Sequence, residues 1–429
     1  ISLGLVGSEM CIRDSLDFYR NLDEIRAVFS KILAQTRGVV VYCAEDAVAR
    51  ELCSLHQAAV SYGWNQADYT AVDVKEKGGT TQFVVMRRGA PLGVVDLGIP
   101  GRHNVLNALA AIALADCMGA DFAMSARALA AFAGAKRRFE TRYLSAQLRV
   151  VDDYGHHPTE LAATLQTARS LKPQRVVVLF QPHRFSRTQA LAKEFASALQ
   201  AADLVFITDV YAASEMPIPG VSGETIVAEM VALGGTRAVS IPDLATAHHA
   251  VGNALQPGDL LITLGAGNVH EAGTRLIRDW VVREELMRLV PPGDLECRLY
   301  EPMRRHSTML VGGPAQFWCE PRSFDAFVQV ARYCRERGIA IRVVGRGSNL
   351  IVRDGGIRGV VIHPDGGVFG EVRVEHGQVI AGAGARLKKV ASVAQAAGLG
   401  GFEWMEGVPG NVGGACLLYT SDAADEEDS

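Results

Sequence analysis

From residue 148 to residue 288 the chain alternates short apolar, β-branched runs with longer amphipathic stretches, and this alternation leaves few folds open. The pattern predicts strands at 148–152, 175–180, 204–208, 237–240 and 260–264, with helices at 159–171, 187–201, 222–233, 244–255 and 270–288 between and after them. Strands joined through helices in this way build an α/β fold with a doubly wound parallel sheet. Such sheets hold ligands outside the carboxyl ends of their strands. The stretch 150–188, VVDDYGHHPTELAATLQTARSLKPQRVVVLFQPHRFSRT, puts two polar clusters at that position, expected on neighbouring strands. Tyr154, His156, His157, His183, Arg184 and Arg187 all fall in loops or at a helix start. Charge gathered there needs a polar partner, because folding gains nothing from it. A solvated loop is the plainer alternative.

With 429 residues the chain predicts two to four domains. A hydrophobic share of 48% and a charged share of 21% are those of an ordinary globular protein. A net charge of -4 argues against a nucleic-acid partner. No apolar run reaches the length of a membrane-spanning helix, so no membrane partner is expected. The eight cysteines are scattered without a CxxC pair, which predicts a reducing cytoplasm, mostly buried thiols and no zinc or other metal site formed by them. The two ends, 1–15 and 416–429, do not continue the patterns beside them and look like sequencing artefact. The genuine chain is therefore expected to cover about 16–415.

Upstream of the alternating block, 22–33 and 45–55 read as helices, 38–43 and 58–62 as strands, and 80–87 with 91–97 as a hairpin. Pro100-Gly101-Arg102-His103-Asn104-Val105-Leu106-Asn107 opens an Ala-rich helix. Asn104 and Asn107 share a face near its start. An amide carries both a donor and an acceptor, as adenine recognition requires, but an N-cap with a buried amide explains the spacing equally well. Lys136-Arg137-Arg138 is either a solvated turn or a phosphate clamp, the turn being slightly favoured. Gly265-Ala266-Gly267-Asn268 is weak evidence for phosphate, and tight strand-to-helix packing explains it as well.

Residues 290–298, with Pro291, Pro292 and Gly293, read as a linker. The block 299–415 is richer in glycine. It predicts helices at 324–337 and 387–397, hairpin-like strands at 359–362, 371–375 and 378–381, and two Gly-rich loops, 345–350 and 407–414. Loops with so few charges suit backbone N–H groups cradling a pyrophosphate. Neither is expected to open a helix, which argues against a dinucleotide site of the Rossmann kind.

LDFYRNLDEI, GRHNVLNALAA, RRFE, VDDYGHHPTE, FQPHRFSRT, MPIPG and GAGN together resemble the UDP-N-acetylmuramate:L-alanine ligases of the Mur ligase family. STMLVGGPA, VVGRGSNLIVRD, AGAGARL and GVPGNVGGA resemble the FAD-binding portion of the UDP-N-acetylenolpyruvoylglucosamine reductases. The resemblance implies a truncated central ATP-binding domain at 16–135, a C-terminal ligase domain at 136–289 and an α+β FAD-binding domain at 299–415. It implies ATP and Mg²⁺ for the ligase part, and FAD with NADPH for the reductase part. The implied substrates are UDP-N-acetylmuramate, L-alanine and UDP-N-acetylenolpyruvoylglucosamine. By the same resemblance Asn104, Asn107, Arg138 and Asp153 are ATP-binding residues, and Tyr154, His156, Arg184 and Arg187 bind L-alanine. The FAD loops are Gly345, Arg346, Gly347, Ser348, Asn349 and Leu350, with Gly407, Val408, Pro409, Gly410, Asn411, Gly413, Gly414 and Ala415.

The sequence departs from both families. The ligase family's GTHGKT loop and its Mg²⁺-holding glutamate and histidine are not found in these residues. The reductase family's substrate domain is not found either, and Met309-Leu310 stands where an aromatic residue and an arginine are usual. The expectation is a fragment of a bifunctional ligase and reductase, with no complete catalytic set and no activity of its own. The alternative is a flavin-binding module on a non-catalytic ligase-like scaffold.

Overall fold

The computed structural model describes residues 22–77 and 79–417. The stretch expected to be artefact at 1–15, and 418–429 of the other, lie outside the described residues. The described residues divide into two compact units, one holding 22–242 with Gln256–His270 and the other Asp243–Leu255 with 271–417.

The first unit begins with helix α1 (Leu22–Gln35), strand β1 (Val40–Cys43), helix α2 (Ala47–Cys53) and strand β2 (Ala59–Gly63). Strands β3 (Tyr69–Lys77), β4 (Thr80–Arg87) and β5 (Ala90–Leu97) follow, then helices α3 (Arg102–Cys117) and α4 (Phe122–Ala130). The five strands lie in sequence order, parallel through β3 and antiparallel from β3 to β5. The expected hairpin is β4–β5. β3 was not expected, because YTAVDVKEK is charged along its second half. On β4 the residues Thr81, Phe83 and Val85 are buried while Thr80 and Gln82 are exposed. That period of two turns one face onto Val105, Leu109 and Ile112 of α3.

The alternating block forms strands β6 (Glu140–Leu144), β7 (Leu148–Asp153), β8 (Arg175–Phe180), β9 (Leu204–Ile207), β10 (Arg237–Ser240) and β11 (Asp259–Leu264). Helices α5 (Pro158–Ser170), α6 (Phe185–Leu199) and α7 (Gly223–Leu233) connect them. The sheet order is β10-β9-β8-β11-β7-β6. All neighbours are parallel except β6 with β7. The expected doubly wound sheet is present, with one antiparallel edge strand that sequence reading missed. One expectation is corrected: β7 and β8 are not neighbours, since β11 lies between them and pairs with both. Every residue of β9 and β11 is buried, as helices on both faces of a parallel sheet require. Leu161 and Leu165 of α5 have no exposed surface, and each buried leucine contributes about 1.5–3 kcal/mol.

The second unit contains helices α8 (Leu244–Ala254) and α9 (Val269–Arg288, from residue 271), then strands β12 (Leu295–Pro302) and β13 (Pro314–Pro321), helix α10 (Phe324–Glu336), and strands β14 (Ile341–Val343) and β15 (Ile357–Ile362). The hairpin β16 (Val372–Glu375) with β17 (Gln378–Ala381) and helix α11 (Leu387–Ala396) complete it. The main sheet runs β12-β13-β15-β14. Three sequence expectations change here. β12 starts inside the stretch read as linker, because Leu295, Cys297 and Leu299 alternate into the core while the residues between them stay partly exposed. β15 is not part of a hairpin: it pairs in parallel with β13 and β14, and its last four residues are all buried. The second Gly-rich loop does lead into a helix, over 412–417. The glycines at 413 and 414 hide that helix from any propensity reading. The thiols are also less buried than expected: Cys297, Cys319 and Cys334 are buried, but Cys117 and Cys416 are exposed.

Candidate functional site

The last residues of β7, β8 and β11 stand level, with Leu264 opposite both Asp153 and Phe180. The chain reverses its order across the sheet at this point, where an open α/β sheet leaves a crevice. The turn after β11 ties the two polar loops together. Gln181 N–H donates to Leu264 O at 2.9 Å, and Gly265 N–H to Asp153 O at 3.1 Å. The Gln181 amide then spans Asn268 Oδ1 at 3.1 Å and the Val269 N–H at 3.1 Å. A Cβ on Gly267 would stand 2.3 Å from Gln181 Oε1, so these glycines serve close packing.

His157 caps α5, accepting the Thr159 N–H on Nδ1. Glu160, three residues on, returns Oε2 to the N–H groups of His156 and His157 at 2.9 and 3.1 Å. This reciprocal pair is a capping box and fixes the loop's direction. Its other oxygen accepts from Arg138 Nη1 at 3.2 Å. One carboxylate therefore connects a residue expected at ATP with a loop expected at L-alanine. The His156 ring lies 5.4 Å from Tyr154 and 5.5 Å from His183, which stacks on Tyr211 at 5.6 Å. Arg184 reaches Glu215 at 4.0 Å, and its left-handed backbone (φ 73°) turns the chain into α6. Arg187 lies within the first turn of that helix. Burial, with the charges of His156, Arg187 and Arg184, pushes the His183 imidazole down to about 4, so it is neutral near pH 7.

The two carboxylates ending β7 are structural in their contacts. Asp152 accepts from Arg137 Nε at 3.0 Å and from Thr263 Oγ1 at 2.7 Å. Arg137 also reaches Gly265 O at 2.6 Å. Asp153 is 5% exposed and accepts the N–H groups of Phe139 at 2.8 Å and Gly155 at 2.7 Å. Burial pushes its carboxyl above the usual carboxylate range, and those two N–H groups pull against the rise. Asn104 and Asn107 do share a face of α3, with Asn107 Nδ2 3.5 Å from Asn104 Oδ1. Asn104 also ties back to Pro100 O at 2.7 Å, and Asn107 is exposed. Sequence reading placed Gln181 and His183 in the polar stretch after β8 and Arg137 in a basic turn, but it missed Glu160 and Tyr211 as members of this arrangement. For Glu160 the signal was present, as an acid three residues after an N-cap.

In the second unit the two Gly-rich loops meet at buried Asn411. Its Oδ1 accepts the Arg346 N–H at 2.9 Å, and its Nδ2 donates to Gly384 O. Ser348 Oγ donates to Pro409 O at 2.8 Å, and Thr308 N–H to Gly347 O at 3.2 Å. A Cβ on Gly345 would stand 2.8 Å from Asn411 Oδ1, and Gly347 is in the left-handed region (φ 64°). Gly407 and Gly414 face open space, which leaves room for a ligand against the backbone. Leu350 packs inward against the Met303–Trp318 cluster, while Asn349 and Val408 are exposed. The Ala415 N–H closes onto Asn411 O. This cradle of small residues and backbone amides fits a diphosphate-bearing group such as FAD.

Among the described residues no group of three or more His, Cys, Asp or Glu is arranged to hold a metal ion, and no helix is long and apolar enough to cross a membrane.

Comparison with known proteins finds three family matches along the chain. Residues 12–115 match the Mur ligase middle domain, 137–267 the Mur ligase glutamate ligase domain, and 315–420 an FAD binding domain. The chain is 41% identical over 270 residues to the UDP-N-acetylmuramate–L-alanine ligase of Desulforamulus reducens, covering 62% of this chain and 58% of that protein. It is 42% identical over 277 residues to the same ligase of Syntrophotalea carbinolica, covering 63% and 60%. Among solved structures, the UDP-N-acetylmuramate-alanine ligase of Thermotoga maritima aligns with a TM-score of 0.53 at 32% identity, over 63% of this chain and 57% of that one. The chain thus spans about three-fifths of the length of the curated relatives it matches. The chain joins the middle and C-terminal domains of a Mur ligase to an FAD-binding domain.

Proposed function

We propose that the ligase part belongs to an enzyme that joins L-alanine to UDP-N-acetylmuramate at the expense of ATP. The reaction transfers the γ-phosphoryl group to the substrate carboxylate, releasing ADP. The alanine amine then attacks the acyl phosphate, an amide forms and phosphate leaves. The observation that carries this reading is the convergence of Tyr154 and His156 with His183, the residue before Arg184, from two strand ends that β11 holds apart. Arg184 and Arg187 grip the small carboxylate, and a planar guanidinium suits that task. Neutral His183 stands between His156 and Tyr211 beside them without adding charge. On the nucleotide side, Asn107 and Asn104 meet the adenine and Arg138 the phosphates. Asp153 contributes by holding the Phe139 and Gly155 backbone in place. Mg²⁺ would offset phosphate charge, but its ligands are not among these residues. Residues 16–135 and 136–289 are the proposed limits of the two ligase domains.

The flavin part we assign to reduction of UDP-N-acetylenolpyruvoylglucosamine by NADPH. The loops joined by Asn411 would hold FAD, which supplies the hydride-transfer chemistry. A protein doing both jobs would serve successive steps of peptidoglycan precursor synthesis, in the cytoplasm. The test is phosphate release by the full open reading frame, given ATP, UDP-N-acetylmuramate and L-alanine. Release that depends on both substrates supports the ligase. A frame with no GTHGKT loop upstream and no release would favour a flavin module on a non-catalytic scaffold. The 429-residue chain alone should not ligate, because it lacks that loop.

A further inference from the structure

Strand β12 opens the main sheet of the flavin-binding unit, and one of its residues reaches helices α8 and α9. Tyr300 is 2% exposed and adopts a left-handed backbone (φ 54°). A non-glycine residue in that region costs energy, so the surroundings must hold it there. Its hydroxyl donates to Asp279 Oδ2 at 2.5 Å, and Asp279 is itself buried. Its ring lies 5.4 Å from His248 and 4.7 Å from His249. A Cβ on Gly252 would come within 2.6 Å of that ring, so α8 presents a notch cut to the tyrosine. Two more bonds run the same way. Asn253 Nδ2 donates to Leu299 O at 3.3 Å, and Arg283 Nε to Cys297 O at 2.8 Å. Farther along α9, Glu285 accepts from Tyr333 of α10 at 2.5 Å.

We infer that α8 and α9 carry a docking surface for β12, keyed by the Tyr300–Asp279 pair, and that these helices fold as part of the flavin-binding unit. The occupant of the surface is this chain's own strand. α8 nonetheless lies inside the stretch 137–267 that matches the ligase domain. Ligase sequence thus supplies structure to the flavin unit, and residues 295–298 of the stretch read as linker belong to β12. Burying a tyrosine hydroxyl on a buried carboxylate gives a charge-assisted bond, and deleting the hydroxyl leaves the acid short of a partner.

Hydrogen exchange on the full chain tests this. Amides of 247–252 in α8 should open together with those of β12 and β13. Tyr300→Phe keeps the ring and removes the hydroxyl, and should speed exchange in both segments by roughly tenfold, as loss of a hydrogen bond to a charged group predicts. Amides of β8 and β9 should not change. Tyr300→Ala should have a larger effect on the same segments. If that variant fails to fold, Tyr300→Phe and Asp279→Asn carry the test. The inference is overturned if α8 keeps its wild-type exchange while β12 accelerates, or if Tyr300→Phe changes neither.

Discussion

Glu160 Oε1 accepts from Arg138 Nη1 at 3.2 Å while its Oε2 holds the His156 backbone N–H at 2.9 Å. The residue proposed to meet the nucleotide and the loop proposed to meet the amino acid are therefore fixed by the same side chain. Glu160→Ala removes both ties and one half of the capping box. A capping interaction is worth about 1 kcal/mol, so amide exchange at His156, His157 and the first turn of α5 should accelerate about fivefold. In the full-length enzyme the variant should raise the KM for ATP and for alanine together. A change confined to one substrate would show that Glu160 does not link the two sides.

His183 carries a pH signature. Its folded-state value is about 4, below the ordinary 6.5, because of burial first and neighbouring positive charge second. Between those values the unfolded chain binds a proton that the folded chain refuses, so this group makes stability rise with pH from about 4 to 6.5 and contributes no slope above. His248 is also pushed down to about 4, chiefly by burial, and adds to the same window. Comparing His183→Gln with wild type separates the two. The variant should show a shallower dependence of the denaturation midpoint across that window. NMR titration of the His183 ring should show it neutral at pH 5.5. A ring that titrates near 6.5 contradicts the described packing.

Asn411 joins the two Gly-rich loops through Arg346 N–H and Gly384 O. Asn411→Ala would leave both groups unpaired at a buried position, at about 1–3 kcal/mol each. The loops should loosen, and the Kd for FAD, followed by quenching of flavin fluorescence, should rise at least roughly tenfold by the same principle. The Gly407→Ala variant, facing open space in the protein, should weaken FAD without changing thermal stability. Unchanged affinity in both variants would move the flavin elsewhere.

Much of the fold is written locally. The runs at β7, β8, β9, β10 and β11 read as strands because they are short, apolar and β-branched, and the helices between them carry their own caps, as at Ser222 and Asp243. The polar residues after β7 and β8 were legible as a site because they fall at strand ends. What stayed hidden was non-local. Nothing in the sequence near residue 260 says that β11 inserts between β7 and β8, since strand order is decided by which buried faces pack together. β12 was hidden by the prolines before it, and β6 by its exposed charges. Glu160 looked like one more helix acid until its partners, 22 residues upstream and four residues back, were in place.

The central claim is that the loops after β7 and β8 hold the carboxylate of the incoming amino acid. Its most direct test is Arg184→Ala in the full open reading frame, assayed by phosphate release. Loss of a charge-assisted hydrogen bond, about 1.5–3 kcal/mol, should raise the KM for L-alanine roughly ten- to a hundredfold while the KM for ATP stays within about twofold. A defect that falls on ATP and spares alanine would contradict the account.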